Sequence, residues 1–335
     1  MERNKTSLTF SRSDTLSWLG AATPERQVTG DFGPLALFRG KHFTLATFGL
    51  FIGAGFFLAT LHTWFYLGST GNRYPPRQLA WLVLSLSGGI PVGAWLMSRI
   101  LDLPRLLRGE IRVSRFLRIP GFALWGGLMS GTLIILFVTN SFHWQLLPIL
   151  DAVVLGLPLA QALGRLGCLN YGCCHGRECT HGPSITYHNP EAKVLRTYTH
   201  LKGIPLFPTQ IYSAAANSLI YLVLSAMVYA FHPPVGLAAA LYLLLYGAKR
   251  FGMEFLRGEY PRTGFLSLTL WQWFSLGFIF AGLVLITSLN PQVTIPFPDW
   301  EQGWMMLRAL LPYSIVAALV VTGAYSLHGP KVGRW

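Results

Sequence analysis

One stretch of this 335-residue chain, Gly164-Arg165-Leu166-Gly167-Cys168-Leu169-Asn170-Tyr171-Gly172-Cys173-Cys174-His175-Gly176-Arg177-Glu178-Cys179-Thr180-His181, holds all four cysteines. It stands directly behind an apolar run, so its groups meet the edge of a bilayer. Arg165 carries a planar fork that can give two parallel hydrogen bonds to a phosphate, or it snorkels to the interface from a span end. The spacing C-x4-C-C-H-x3-C-x-H lacks the paired C-x2-C knuckles of a zinc ribbon. Three uses of the thiols follow. Cys168, Cys173, Cys174 and Cys179 with His175 and His181 can hold a metal; the thiols can pair as disulfides if the loop is exported; or Cys173 or Cys174 beside His175 becomes a thiolate of lowered pKa. The leading reading invokes no metal and no cofactor.

Three further constellations carry polar groups into apolar surroundings. Asp151 lies early in a hydrophobic run, where it either makes a helix-orienting ion pair or organises a nearby arginine. Pro208-Thr209-Gln210-Ile211-Tyr212 opens another run with groups that cap the helix or meet a lipid headgroup. In Lys249-Arg250-Phe251-Gly252-Met253-Glu254-Phe255-Leu256-Arg257, Arg250, Glu254 and Arg257 fall at i, i+4 and i+7, one stripe if the helix continues. Such a ladder is a buried charge network or a second phosphate clamp held by Glu254.

The elements that must position these groups are membrane spans. Charged residues make up 12% and hydrophobic residues 52%, and the mean hydropathy is +0.44, too little polar surface for a soluble globule. Runs near the ~20 residues needed to cross a bilayer fall at about 43–67, 79–98, 119–139, 146–163, 209–231, 235–250, 265–289 and 307–328. The fold class is therefore all-α, a polytopic membrane bundle of seven to eight helices. Gly164-Arg165-Leu166-Gly167 is expected to close the fourth helix and open a loop over 164–207. Residues 1–42 hold no apolar stretch of leader length, so the first span is expected to serve as the insertion signal. Gly49-x-x-x-Gly53 and Gly127-x-x-x-Gly131 mark close helix packing or a substrate groove. Trp64 with Tyr66, Trp271 with Trp273 and Trp300 with Trp304 fall near span ends, where such rings favour the headgroup layer.

The net charge of +13 is spread over membrane-flanking loops instead of forming one patch with interleaved aromatics, which argues for anionic lipid and against nucleic acid. Of the 26 Lys and Arg, all but Arg73, Arg77 and Arg308 fall on the side of the N terminus and the cysteine loop. The positive-inside rule alone places that side in the cytoplasm.

Taken together, the motifs resemble the bacterial prolipoprotein diacylglyceryl transferase family. The matching run is Gly33-Pro34, Phe48-Gly49-Leu50, Gly126-Gly127-Leu128, Asp151, Gly164-Arg165-x-Gly167 with Asn170, Pro208-Thr209-Gln210-Ile211-Tyr212, Tyr246-Gly247-x-x-Arg250-Phe251-x-x-Glu254-Phe255-x-Arg257, and Leu266-Ser267 ahead of Gln272. The resemblance implies a multi-pass enzyme of the bacterial plasma membrane that transfers a diacylglyceryl group from phosphatidylglycerol to the lipobox cysteine of an exported prolipoprotein and releases glycerol phosphate. It implies an outward-facing site, against the charge count. In that picture Arg165 holds the lipid phosphate, Arg250 stabilises the departing phosphate, and Glu254, Asp151, Asn170 and Gln210 shape the site, with Tyr212, Gly126, Gly127 and Arg257 near the substrate. His175 or Glu254 is the candidate base, and Cys173 a candidate relay.

The chain departs from the family pattern at four positions. Trp125 stands where the family has a histidine, Phe48 where it has a tyrosine, Cys168 for an asparagine and Cys173 for a glutamate, so the usual candidate for thiol activation is missing. Expected domains are a tail at 1–42, a transferase-like membrane domain at 43–290, and a connector with an extra helix at 291–335. Two rivals keep the scaffold: a relative acting on a different lipid acceptor, and a non-catalytic phospholipid-binding or transport protein.

Overall fold

The computed structural model describes residues 27–71, 74–113, 116, 123–258 and 265–328. Among these, eight long helices stand at the eight expected spans: α1 (Thr47–Ser69), α2 (Pro76–Leu107), α3 (Leu124–Ser141), α4 (Leu146–Tyr171), α6 (Thr209–Phe231), α7 (Leu237–Glu254), α8 (Leu270–Ser288) and α9 (Trp300–Ser326), with a short α5 (Lys193–Thr197) in the loop after α4. Six are by themselves long and apolar enough to cross a membrane; α3 is shorter and α7 ends in charge.

Helix α1 is the hub, packed between α4 and α9, while α2 joins α3, α4 joins α6 and α7 joins α8. Small residues make the hub possible. A Cβ on Gly49 would sit 2.5 Å from the backbone nitrogen of Ser326, and one on Gly156 would sit 2.4 Å from the carbonyl oxygen of Ala59. The first glycine pair therefore seats α9 against α1. Gly126 likewise meets Gly93 of α2 and Gly127 meets Ile90, so both let α3 approach α2 closely.

Interhelical hydrogen bonds replace lost hydration in this core. Trp64 Nε1 donates to Ser314 Oγ at 2.9 Å, and Thr63 Oγ1 to the carbonyl of Ala152 at 3.1 Å. Trp64 and Tyr66 are each only 2% exposed. The interfacial placement expected for this pair gives way to packing, because both rings find partners inside the bundle.

Two small sheets, unforeseen in the helical pattern, tie the ends together. β1 (Gln27–Thr29) runs parallel to β4 (Ser184–Thr186) in the loop, and β2 (Ala36–Arg39), β3 (Thr44–Ala46) and β5 (Leu327–His328) form an antiparallel sheet. The segment before α1 and the end of α9 thus lie together at the C-terminal end of α4.

Candidate active site

Helix α4 continues two turns past its expected end. Gly164, Arg165 and Gly167 are helical, and the stop comes at Gly172, whose φ of 75° is the left-handed conformation of a helix C-cap. Glycine is compatible with helix here because Gly167 packs within 3.0 Å of Phe51 of α1, measured from a built Cβ. The extension carries Arg165, Cys168 and Asn170 on one rigid element.

A narrow cleft opens beside that end, lined by Arg165, Cys174, Thr209, Ser213, Lys249, Arg250, Met253 and Arg257. Three arginines and a lysine thus meet from three directions. Arg250 pairs with Glu254 at 2.7 Å, and its guanidinium lies 5.8 Å from the centre of the Trp271 ring. Glu254 is buried and also accepts from Thr269 Oγ1 at 3.2 Å. Lys249 donates to Asn217 Oδ1 at 2.8 Å over the ring of Tyr246. The expected stripe of Arg250, Glu254 and Arg257 does not persist as helix, because α7 stops at Glu254. Arg257 reaches the cleft instead through a bridge of its backbone to Gly176, with Arg177 N–H donating to the carbonyl of Leu256 at 2.9 Å.

The residues that open α6 do not cap it. Gln210 Nε2 donates to the carbonyl of Cys173 and Thr209 Oγ1 to that of Cys174, each at 2.8 Å, which clamps the cysteine turn. Tyr212 is half-buried one turn into α6, outside the cleft lining. Asn170 is buried and donates to the carbonyl of Phe32 at 2.6 Å, tying down the chain before Gly33 and Pro34.

Asp151 is not at this site. Its oxygens accept from the N–H groups of Gly236 at 2.6 Å and Ala239 at 2.9 Å, so it caps the start of α7. It lies about four turns, roughly 21 Å, along α4 from Arg165. Among the described residues no arginine pairs with it, because unsatisfied helix N–H groups compete for the carboxylate.

The thiols divide. The sulfurs of Cys168, Cys173 and Cys174 lie within 4.8 Å of one another, and no disulfide joins them. Cys179 turns away, its thiol donating to the carbonyl of His181 at 3.0 Å. His175 is buried against Tyr198 with Nδ1 2.9 Å from the carbonyl oxygen of Gly176, and lines a separate hollow of about 420 Å³ with Arg177 and Glu178. His175, Cys179 and His181 therefore stand outside the three-thiol group, and His175 does not line the arginine cleft. Within that group, hydrogen bonds to Cys168 and Cys173, reinforced by the fields of Arg257 and Arg165, hold Cys174 well below the ordinary thiol range; hydrogen bonding to Cys168 and Cys174 together with burial pushes Cys173 up.

Trp125, where the resemblance implies a histidine, stacks on Trp271 with ring centres 5.6 Å apart and packs at a tilt against Phe274 at 4.3 Å. It thereby backs the ring that faces Arg250. The sequence pattern gives no site role to Lys249, Ser213 or Trp271, although Lys249 heads the arginine motif and Trp271 is expected at the headgroup layer. A lysine inside an apolar run was a usable signal for the first; the Trp271 contact is made between helices and leaves no local mark.

The family model for prolipoprotein diacylglyceryl transferase matches residues 35–288. The chain belongs to the prolipoprotein diacylglyceryl transferase family. Among its relatives, phosphatidylglycerol–prolipoprotein diacylglyceryl transferase 2 of Clostridium perfringens (strain 13 / Type A) is 31% identical over 246 residues, 73% of this chain and 90% of the relative. The phosphatidylglycerol–prolipoprotein diacylglyceryl transferase of Clostridium tetani (strain Massachusetts / E88) is 30% identical over 208 residues, 60% of this chain and 76% of its own length. That of Streptococcus mutans serotype c (strain ATCC 700610 / UA159) is 30% identical over 182 residues, covering 53% and 66%. This member of the diacylglyceryl transferase family is a multi-pass membrane protein by its apolar helices. The matched region contains the whole arginine cleft and the three-thiol group, and ends before α9.

Proposed function

We propose that the protein transfers the diacylglyceryl group of phosphatidylglycerol to the lipobox cysteine of a prolipoprotein, at the outward face of a bacterial plasma membrane. The observation that carries the reading is the convergence of Arg165, Lys249, Arg250 and Arg257 on one cleft at the ends of membrane helices. A lipid phosphate is the anion that such a place meets. Three guanidinium forks, with the Lys249 amine beside them, oppose the negative charge that grows on the phosphate as its bond to the glyceryl carbon breaks, which is where preorganised donors accelerate a reaction most. Glu254 and the Trp271 face hold Arg250 in position, and Gln210 with Thr209 holds the cysteine turn that frames the other wall.

The balance of the reaction is simple. The acceptor sulfur, as thiolate, forms a C–S bond to the glyceryl carbon while the C–O bond to phosphate breaks, and glycerol phosphate leaves with the electron pair. The enclosed space in the cleft is small, about 10 Å³, so the phosphate takes its place by displacing the long apolar side chain of Met253. The test is label transfer from diacylglyceryl-labelled phosphatidylglycerol to a lipobox peptide by the purified protein in vesicles. Labelling of the cysteine peptide and not of its serine counterpart supports the reading; binding of the lipid without either product refutes it.

A further inference from the structure

The three-thiol group lies against the arginine cleft, and the transferase reading assigns it no task. Thiolates are needed on one side of that reaction, yet the positions at which the resemblance implies a histidine and a glutamate hold Trp125 and Cys173. From the geometry of the three sulfurs we infer that Cys168, Cys173 and Cys174 form a zinc site whose open fourth position takes the acceptor thiol.

The backbone builds the site before any ion arrives. Gly172 and Cys174 both adopt left-handed conformations, with φ of 75° and 57°, and these reversals on either side of Cys173 fold the chain back onto the last turn of α4. A left-handed conformation is disfavoured for a residue with a side chain, so Cys174 holds it only where its surroundings require it. Cys173 N–H donates to the carbonyl of Cys168 at 3.1 Å, while Gln210 and Thr209 hold the carbonyls of Cys173 and Cys174. In a tetrahedral zinc centre with Zn–S near 2.3 Å, sulfurs sit ~3.8 Å apart. The three here are already within 4.8 Å, so small side-chain rotations complete the ring.

Charge favours the loaded form. Three thiolates around Zn²⁺ leave a net single negative charge, and Arg165 and Arg257 share the cleft that Cys174 lines. Three protein ligands with a vacant fourth position is the arrangement of a reactive zinc rather than a structural one. Cys179, His175 and His181 do not fill that position, since none of them joins the group. The fourth ligand is then the sulfur that the reaction must deprotonate: the acceptor thiol binds zinc and gives up its proton to water, because a coordinated thiol is deprotonated outright. The zinc-held thiolate attacks the glyceryl carbon, its new bond replaces the C–O bond, and the phosphate leaves as the dianion among the arginines. This last part rests on the transferase reading; the metal site itself does not.

Zinc analysis of the full chain, purified reduced and dialysed, is the first arm. About one zinc per chain is expected, with retention lost in Cys168→Ser, Cys173→Ser and Cys174→Ser and kept in Cys179→Ser. The second arm replaces zinc by Co²⁺ and reads the thiolate-to-cobalt charge-transfer absorption. A lipobox peptide should raise it by about one-third, as a fourth thiolate joins three, and a serine peptide should not. Zinc below about one-tenth of an equivalent, with no charge-transfer band on adding Co²⁺, overturns the site. An unchanged band with the peptide, or full label transfer by metal-free protein, overturns the role in thiol activation and leaves the transferase standing. Stoichiometric zinc and a peptide-responsive band in a protein that labels no lipobox peptide would support the site while refuting the transferase.

Discussion

Replacing Glu254 by glutamine removes the negative charge that fixes Arg250 and leaves the shape of the side chain almost unchanged. The paired atoms are 2.7 Å apart, with side-chain exposures of 15% for Arg250 and 2% for Glu254. At an effective dielectric near 20, two unit charges at that distance attract by ~6 kcal/mol, and the desolvation of both offsets much of it. Orphaning one partner of a buried pair costs ~3–5 kcal/mol. The cost of Glu254→Gln should fall near the lower end of that range, because glutamine keeps an acceptor for Thr269 and Arg250 keeps the Trp271 face. Two readings check this. Thermal unfolding of the variant in neutral detergent should come earlier than in the wild type, and anionic lipid should restore more stability to it, since its cleft carries one more uncompensated positive charge. In the label-transfer assay its kcat should fall by about 100-fold, the typical cost of a misplaced positioning group, with phospholipid binding maintained. A variant that melts and turns over like the wild type would refute the role assigned to the pair.

Other perturbations separate scaffold from site. Asp151→Ala leaves the N–H groups of Gly236 and Ala239 without their acceptor; unfolding should come earlier by the ~1–3 kcal/mol of an unsatisfied buried group, with KM for phosphatidylglycerol unchanged. Gly49→Leu forces a side chain against the backbone of Ser326 and Thr322, and thermal stability should drop by ~1–3 kcal/mol or more, with Gly49→Ala milder. Lys41→Cys places an exposed thiol in the turn between β2 and β3, on the side of the cleft. A membrane-impermeant maleimide should label it from outside, above the background of the native thiols; labelling from the cytoplasmic side alone would follow the charge count and contradict an outward-facing site.

Much of this architecture is written in local pattern. Eight apolar runs mark eight helices, and the Gly49 and Gly53 spacing marks the face that meets α9, because span length and small-residue spacing are properties of single segments. What fails to show locally is where backbone polar groups find partners. Glycines near Arg165 read as a loop, yet the helix runs on, since close packing on α1 needs residues without a side chain. Asp151 reads as an arginine's partner and instead satisfies the first N–H groups of a helix distant in sequence. Arg257 reaches the cleft by strand pairing after the helix stops, a contact that no helical spacing encodes. The cysteine spacing suggested up to six metal ligands, whereas the turn at Gly172 and Cys174 gathers three thiols and turns Cys179 away.

The arginine cleft is tested most directly by single-turnover transfer from phosphatidylglycerol to a lipobox peptide, comparing the wild type with Arg165→Gln. Removing one preorganised donor at the departing phosphate should slow the chemical step by about 100- to 1,000-fold, with the variant still inserted and folded. Transfer by Arg165→Gln within about twofold of the wild type would contradict a phosphate held by this cleft.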